Sequence, residues 1–118
     1  MNYLMWGAIS GCLVVILGAF GTHGLRNILD DYGKSIYNKA VLYQMFHTMA
    51  ILFIGLISKI QPEIQFSLSG WAFLFGIIIF SGSLYLLAVT GIKSLGMITP
   101  IGGLLFIIGW VLLIIKTI

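Results

Sequence analysis

The sequence predicts an all-α integral membrane protein: a four-helix bundle with a short amphipathic interfacial segment between helices 1 and 2. Three observations predict it. Of 118 residues, 60% are hydrophobic and only 8% are charged, with a mean hydropathy of +1.14. A soluble domain carries roughly a quarter charged residues, so this chain cannot cover a water-facing surface. The charges also leave four uncharged windows: Asn2 to Leu25, Ala40 to Ser58, Ile64 to Ile92 and Ser94 to Ile115. About 20 helical residues cross the hydrocarbon core, and each window accommodates that length or comes close to it. Finally, the apolar runs do not alternate, which excludes a closed β-barrel and leaves helices. One transmembrane domain covers residues 1–118, with helices over about 3–21, 36–58, 66–89 and 98–116.

Helix 1 has no Lys or Arg before its apolar stretch and no small-x-small cleavage pattern before Gly21. It therefore reads as a retained span rather than a secretory signal. Gly7, Gly11 and Gly18 fall on one face and allow close approach of a neighbour. Gly21 and Gly24 at its end are expected to supply left-handed caps, and Arg26 suits the negative end of the helix dipole.

Between helices 1 and 2, residues 25–37 hold Arg26, Asp30, Asp31 and Lys34. Leu25, Ile28, Leu29, Tyr32 and Ile36 recur at amphipathic spacing, the pattern of a short helix lying at the interface. Gly33 is expected to break it before helix 2. In helix 2, Lys39 can snorkel outward. Ala40, Gln44, His47, Thr48, Ile51, Gly55 and Ser58 share one face, small and polar. Leu42, Met45, Met49, Leu52, Phe53 and Leu56 form the other, expected to face lipid or a second subunit.

Pro62 ends helix 2 or starts the next turn. Helix 3 carries Ala72 and Gly76 as a small-residue contact, then Ser81, Gly82, Ser83, Tyr85 and Thr90. Thr99 followed by Pro100 reads as an N-cap with proline at the first helical position. Gly102, Gly103 and Gly109 again suit tight packing in helix 4.

In an antiparallel bundle the loops after helices 1 and 3 lie on one side. The candidate polar pocket on that side comprises His47, Gln44, Tyr43, Thr48, His23, Tyr85, Thr90 and Thr99, with His47 near its floor. Polar side chains inside a span are costly and need a reason. Two reasons stay open: an interhelical hydrogen-bond cluster that fixes packing, or a site for a small ligand, a lipid headgroup or a proton.

Several chemistries are disfavoured. No Asp or Glu lies within a span, so a carboxylate proton relay is missing. No nucleophile–base–acid set, phosphate loop or haem attachment sequence is present, so no catalytic residue and no cofactor are assigned. Two histidines without a cysteine or carboxylate in register make no metal site. Cys12 is the only cysteine and reads as a small apolar packing residue. The net charge of +3 comes from scattered residues, which suits lipid headgroups and not nucleic acid. The expected partners are membrane lipids and a second copy or another membrane protein.

The runs from Gly18 to Leu25, Tyr43 to His47, Gly82 to Gly91 and Ile98 to Gly103, with Gly109-Trp110, together resemble the YgdD/YwdK-like family of small bacterial inner-membrane proteins. The resemblance covers essentially the whole chain; Thr22 stands where alanine is expected in that pattern. It implies a four-helix integral membrane protein and brings no established activity. Two functions compete: a non-enzymatic bundle that assembles with itself or a partner, and an oligomeric transport or small-ligand-binding protein using the His47 pocket. Arg26, Lys34, Lys39 and Lys93 lie on the side of loops 1 and 3, against Lys59 and Lys116 opposite. The positive-inside rule then predicts both termini outside.

Overall fold

A computed structural model describes residues 1–118. It contains four helices long and apolar enough to cross a membrane: α1 (Tyr3–His23), α2 (Asp31–Ile60), α3 (Ser67–Thr90) and α4 (Thr99–Thr117). A 3₁₀ turn, Lys93–Met97, leads into α4. The molecule measures 50 × 26 × 19 Å. Its length is set by α2, whose 30 residues reach about 45 Å at 1.5 Å per residue.

Asn2 caps α1 by accepting the Met5 N–H at 3.1 Å. The end of α1 differs from expectation. Gly24 keeps a right-handed φ of −77° while its N–H bonds Phe20 O at 2.7 Å. The turn that follows is held by Leu25 and Leu29, both buried, so it closes without a left-handed residue. The one left-handed glycine is Gly91, at the end of α3.

The segment between α1 and α2 stays amphipathic but folds as two pieces. Leu25 and Leu29 point inward from a turn while Arg26, Asn27 and Ile28 are exposed. Helix α2 then starts at Asp31, five residues before the expected Ile36. Asp30 Oδ1 accepts the Gly33 N–H at 2.6 Å, an N-cap that places Gly33 inside the first turn instead of at a break.

Helix α2 is the hub. Its small and polar face is buried, with Ala40 and Ile51 fully enclosed, while Leu42, Met45, Met49, Phe53 and Leu56 are exposed. Helix α1 packs almost entirely on α2. Its glycine stripe makes this possible: a Cβ on Gly7 would lie 2.6 Å from Leu52, and Gly11 and Gly18 face Thr48 and Val41. Only the first turn of α1 reaches α3, where Tyr3 lies over Gly70.

Helices α3 and α4 interlock by phenylalanine rings seated on glycines. A Cβ on Gly109 would meet the Phe73 ring at 2.6 Å, one on Gly76 would meet Phe106 at 2.5 Å, and one on Gly102 would meet the backbone of Phe80. Steps of three and four residues along α3 are matched by the same steps in reverse along α4. Phe73 and Phe106 also belong to the main core with Ile51, Ile54 and Ile77.

Helix α3 is not uniform. Residues Ile77–Ser81 form a π-helical turn, in which the Gly82 N–H bonds Ile77 O. One extra residue in a turn rotates everything after it by about 100° relative to a regular helix. Ser81 in this turn is 1% exposed and donates to Ala40 O at 2.8 Å.

Candidate functional site

Polar side chains on α2 join it to each of the other helices. Toward α1, Thr48 and Ser10 share a hydroxyl–hydroxyl bond of 2.6 Å, and Gln44 Nε2 donates to Ser10 Oγ at 3.3 Å and, more weakly, to Ser10 O at 3.4 Å. Toward α3, the Tyr85 hydroxyl donates to Gln44 Oε1 at 2.7 Å. Gln44 therefore spends both ends of its amide, one on each neighbouring helix. Tyr85 packs edge-on against Tyr37, whose own hydroxyl donates to Leu17 O at 2.5 Å.

Toward α4, His47 Nε2 accepts from Trp110 Nε1–H at 3.0 Å. Its Nδ1 lies 2.8 Å from Tyr43 O. A carbonyl can only accept, so Nδ1 carries the proton and Nε2 offers its lone pair to the indole. The ring is also stacked on one face: Phe106 lies on it at 3.5 Å between centroids and 7° between planes. With both nitrogens engaged, neutral His47 has no lone pair left for a metal and no free proton to give.

From the expected pocket, Gln44, Thr48 and Tyr85 share one hydrogen-bonded set with Ser10, while His47 stands in a second set with Trp110 and the Tyr43 carbonyl. Thr99 is nearby in the fold but on a different bond: its hydroxyl meets Ser83 Oγ at 2.5 Å and tethers α4 to α3. It caps nothing by its side chain; α4 begins through the preceding 3₁₀ turn, with the Ile101 N–H on Ile98 O. Tyr43 contributes its carbonyl to His47, while its ring is 39% exposed and leans on Phe80. His23 is exposed at the end of α1. Thr90 is exposed too and bonds Leu86 O within its own helix. These last two stand outside the cluster, since a residue in the last turn of a span satisfies itself locally or in water.

Ser10 and Trp110 complete the cluster and were not among the expected site residues. Each had a signal. Ser10 sits three residues after Gly7, on the stripe that approaches α2, and Trp110 falls four residues after Phe106 on the face of α4 that meets α3. No buried side-chain nitrogen or oxygen lacks a hydrogen-bond partner.

Two grooves flank the cluster. One, of about 590 Å³, lies between α2 and α4 and is walled by Tyr43, His47, Phe80, Phe106 and Trp110. The other, of about 740 Å³, runs over the exposed face of α2 between Leu42 and Leu56 and is wholly apolar, with Trp110 and Leu113 at its α4 edge.

Residues 17–103 match a family model described as a protein of unknown function, DUF423. The chain belongs to the DUF423 family. Similar proteins include UPF0382 membrane proteins of staphylococci. One from Staphylococcus aureus (strain bovine RF122 / ET3-1) is 50% identical over 115 residues, covering 98% of this chain and 93% of the relative. One from Staphylococcus saprophyticus is 48% identical, over 98% and 95%. No solved structure matches the chain. The DUF423 match takes in the end of α1, all of α2 and α3, and the start of α4, so it contains Gln44, His47 and Tyr85.

Proposed function

We propose that this DUF423 protein is a non-enzymatic membrane subunit that works by assembling with a second copy of itself. The observation that carries the reading is the closure of the polar cluster: every buried polar side-chain atom already has a partner inside the chain. A cluster of this kind fixes helix positions and leaves no group poised for acid–base work or metal binding. What remains available along the spans is apolar surface. Helix α1 buries only Gly7, Ser10 and Val14 and leaves Ile9, Leu13, Ile16 and Phe20 exposed as a ridge at i, i+4, i+7 and i+11. Such a ridge suits the 740 Å³ groove over α2, and reciprocal insertion gives a two-fold dimer with self-complementary contacts.

The test is cysteine cross-linking in native membranes. In a Cys12→Ser background, chains carrying Leu13→Cys and chains carrying Met49→Cys are co-expressed. The mixture is expected to form a dimer on oxidation, whereas Leu13→Cys paired with Ile78→Cys, exposed on α3, is expected to stay monomeric. Equal yields from the two mixtures overturn the reading.

A second reading, an oligomeric transport or small-ligand-binding protein, draws on the 590 Å³ groove, where the His47 ring forms part of the wall. It predicts a small molecule or lipid retained in native mass spectrometry and lost in His47→Ala. The same proposal places the protein in the bacterial inner membrane, among YgdD/YwdK-like proteins, with both termini outside. A C-terminal reporter active only in the cytoplasm overturns that orientation.

A further inference from the structure

A cleft of about 260 Å³ lies where α1 ends and α2 begins, lined by Gly21, Thr22, Arg26, Leu29, Lys34, Tyr37 and Asn38. It differs from the grooves along the spans in its lining side chains, four of which, Thr22, Arg26, Lys34 and Asn38, are polar or charged. Two cations line it and no carboxylate does. Asp30 is committed to capping the Gly33 N–H, and neither it nor Asp31 lines the cleft.

The walls are rigid. A Cβ on Gly21 would collide with the Tyr37 ring, so that ring sits directly on the α1 backbone. The Tyr37 hydroxyl is spent on Leu17 O. Buried Leu25 and Leu29 pin the turn on both sides of Arg26. Thr22 donates its hydroxyl proton to Gly18 O at 3.0 Å, so only its lone pairs remain available to the cleft. The cleft thus presents donors from Arg26, Lys34 and Asn38 beside an acceptor from Thr22. It sits at the boundary between span and loop, and exposed Phe20 and Ile28 adjoin its lining residues Gly21 and Leu29 in the chain.

We propose that this cleft binds a phosphate group carrying a neighbouring hydroxyl, as in the headgroup of a glycerol-type anionic phospholipid. Arg26, Lys34 and Asn38 donate to the phosphate, as guanidinium and ammonium groups do to phosphate oxygens elsewhere. Thr22 accepts from the headgroup hydroxyl. The acyl chains then follow the apolar surface next to Phe20 and Ile28. The headgroup cleft shares no lining residue with the α1 ridge or the α2 groove, so phosphate binding is tested independently of self-assembly.

The test titrates the detergent-purified full-length protein with short-chain phosphatidylglycerol, short-chain phosphatidylcholine and soluble glycerol phosphate, following Tm. Phosphatidylglycerol is expected to raise Tm with saturation, and phosphatidylcholine is not. If glycerol phosphate saturates as well, the phosphate site stands and its natural source is a soluble ester; if it does not, the source is lipid. Arg26→Gln with Lys34→Gln is expected to weaken the midpoint about tenfold or more, since each cation near an anionic surface counts for about 1 kcal/mol. Arg26→Lys with Lys34→Arg retains binding. Asn38→Ala removes no charge and weakens the same titration, while Lys59→Gln on the other side leaves it unchanged. An equal response to the two phospholipids, or full binding by the charge-neutral variant, overturns the proposal.

Discussion

Tyr85 on α3 donates its hydroxyl to the side-chain oxygen of Gln44 on α2 at 2.7 Å, joining residues 41 apart in sequence. The same Gln44 reaches Ser10 on α1 through its nitrogen. A single amide thus sets the relative positions of three helices. Tyr85→Phe keeps the ring and removes the donor, while Gln44→Leu removes both ends of the amide. In a double-mutant cycle the Tyr85–Gln44 coupling is expected near 0.6 kcal/mol and no more than about 1.7, the range for interhelical hydrogen bonds in membranes. Thermal unfolding in one detergent measures it. Strict additivity contradicts the bond.

His47→Ala is expected to lower stability by about 2–3 kcal/mol. The change strips the Trp110 N–H of its acceptor and leaves Phe106 facing a void where the imidazole was stacked. His47→Gln can still accept from Trp110 and is expected to recover part of the loss. Thermal melts of the three proteins check the order: wild type, then His47→Gln, then His47→Ala.

Two neighbouring glycines on α4 are expected to behave oppositely. A methyl at Gly102 meets the backbone of Phe80, which cannot step aside, whereas one at Gly103 lies 3.7 Å from the Phe80 ring, an ordinary contact. Gly102→Ala should cost about 1–3 kcal/mol by overpacking. Gly103→Ala should fall within about 0.5 kcal/mol of wild type. Expression level and Tm in detergent separate them.

Much of the fold is legible in the chain because the bilayer imposes it. Charges must sit at the ends of spans, so four uncharged windows become four helices, and the buried face of α2 follows from its spacing. The closeness of α1 to α2 is likewise readable in Gly7, Gly11 and Gly18. Partner choice is harder. Ser10 is one hydroxyl in a long apolar run, and only the position of Thr48 across the interface gives it a role. Trp110 could equally have been an interfacial anchor. His23 and Thr90 fall at the ends of helices 1 and 3, on the side where the pocket is expected, yet that position near a span's end lets them be satisfied without the cluster. Asp30 as an N-cap competes with Gly33 as a breaker, and the cap prevails because the side-chain oxygen lies 2.6 Å from the glycine's own N–H.

The π-helical turn is the element least visible in sequence, since Ile77–Ile78–Ile79–Phe80 fits a regular helix equally well. Deleting Ile78, which is exposed, is expected to convert this turn to regular α-helix. Residues on one side of it would then rotate by about 100° relative to the other. Either Tyr85 loses Gln44 or the phenylalanine–glycine contacts with α4 slip. The deletion should therefore destabilise far more than Ile78→Ala, whose side chain points outward. A comparison of Tm for the two variants decides it, and similar values contradict the assigned role of the turn.

Most of the tight glycine contacts fall within the α1–α2 pair or within the α3–α4 pair, Gly70 under Tyr3 being an exception, while the bonds Tyr85–Gln44, Trp110–His47 and Ser81–Ala40 run between the pairs. Only the exposed loop around Gln61 to Glu63 connects the two hairpins covalently. Each hairpin is thus a prefabricated half with its recognition groups already displayed: Gln44, His47 and the Ala40 carbonyl on one, Tyr85, Trp110 and Ser81 on the other. A chain built this way resembles two genes fused end to end, and severing it at that loop should yield fragments that find each other in the bilayer.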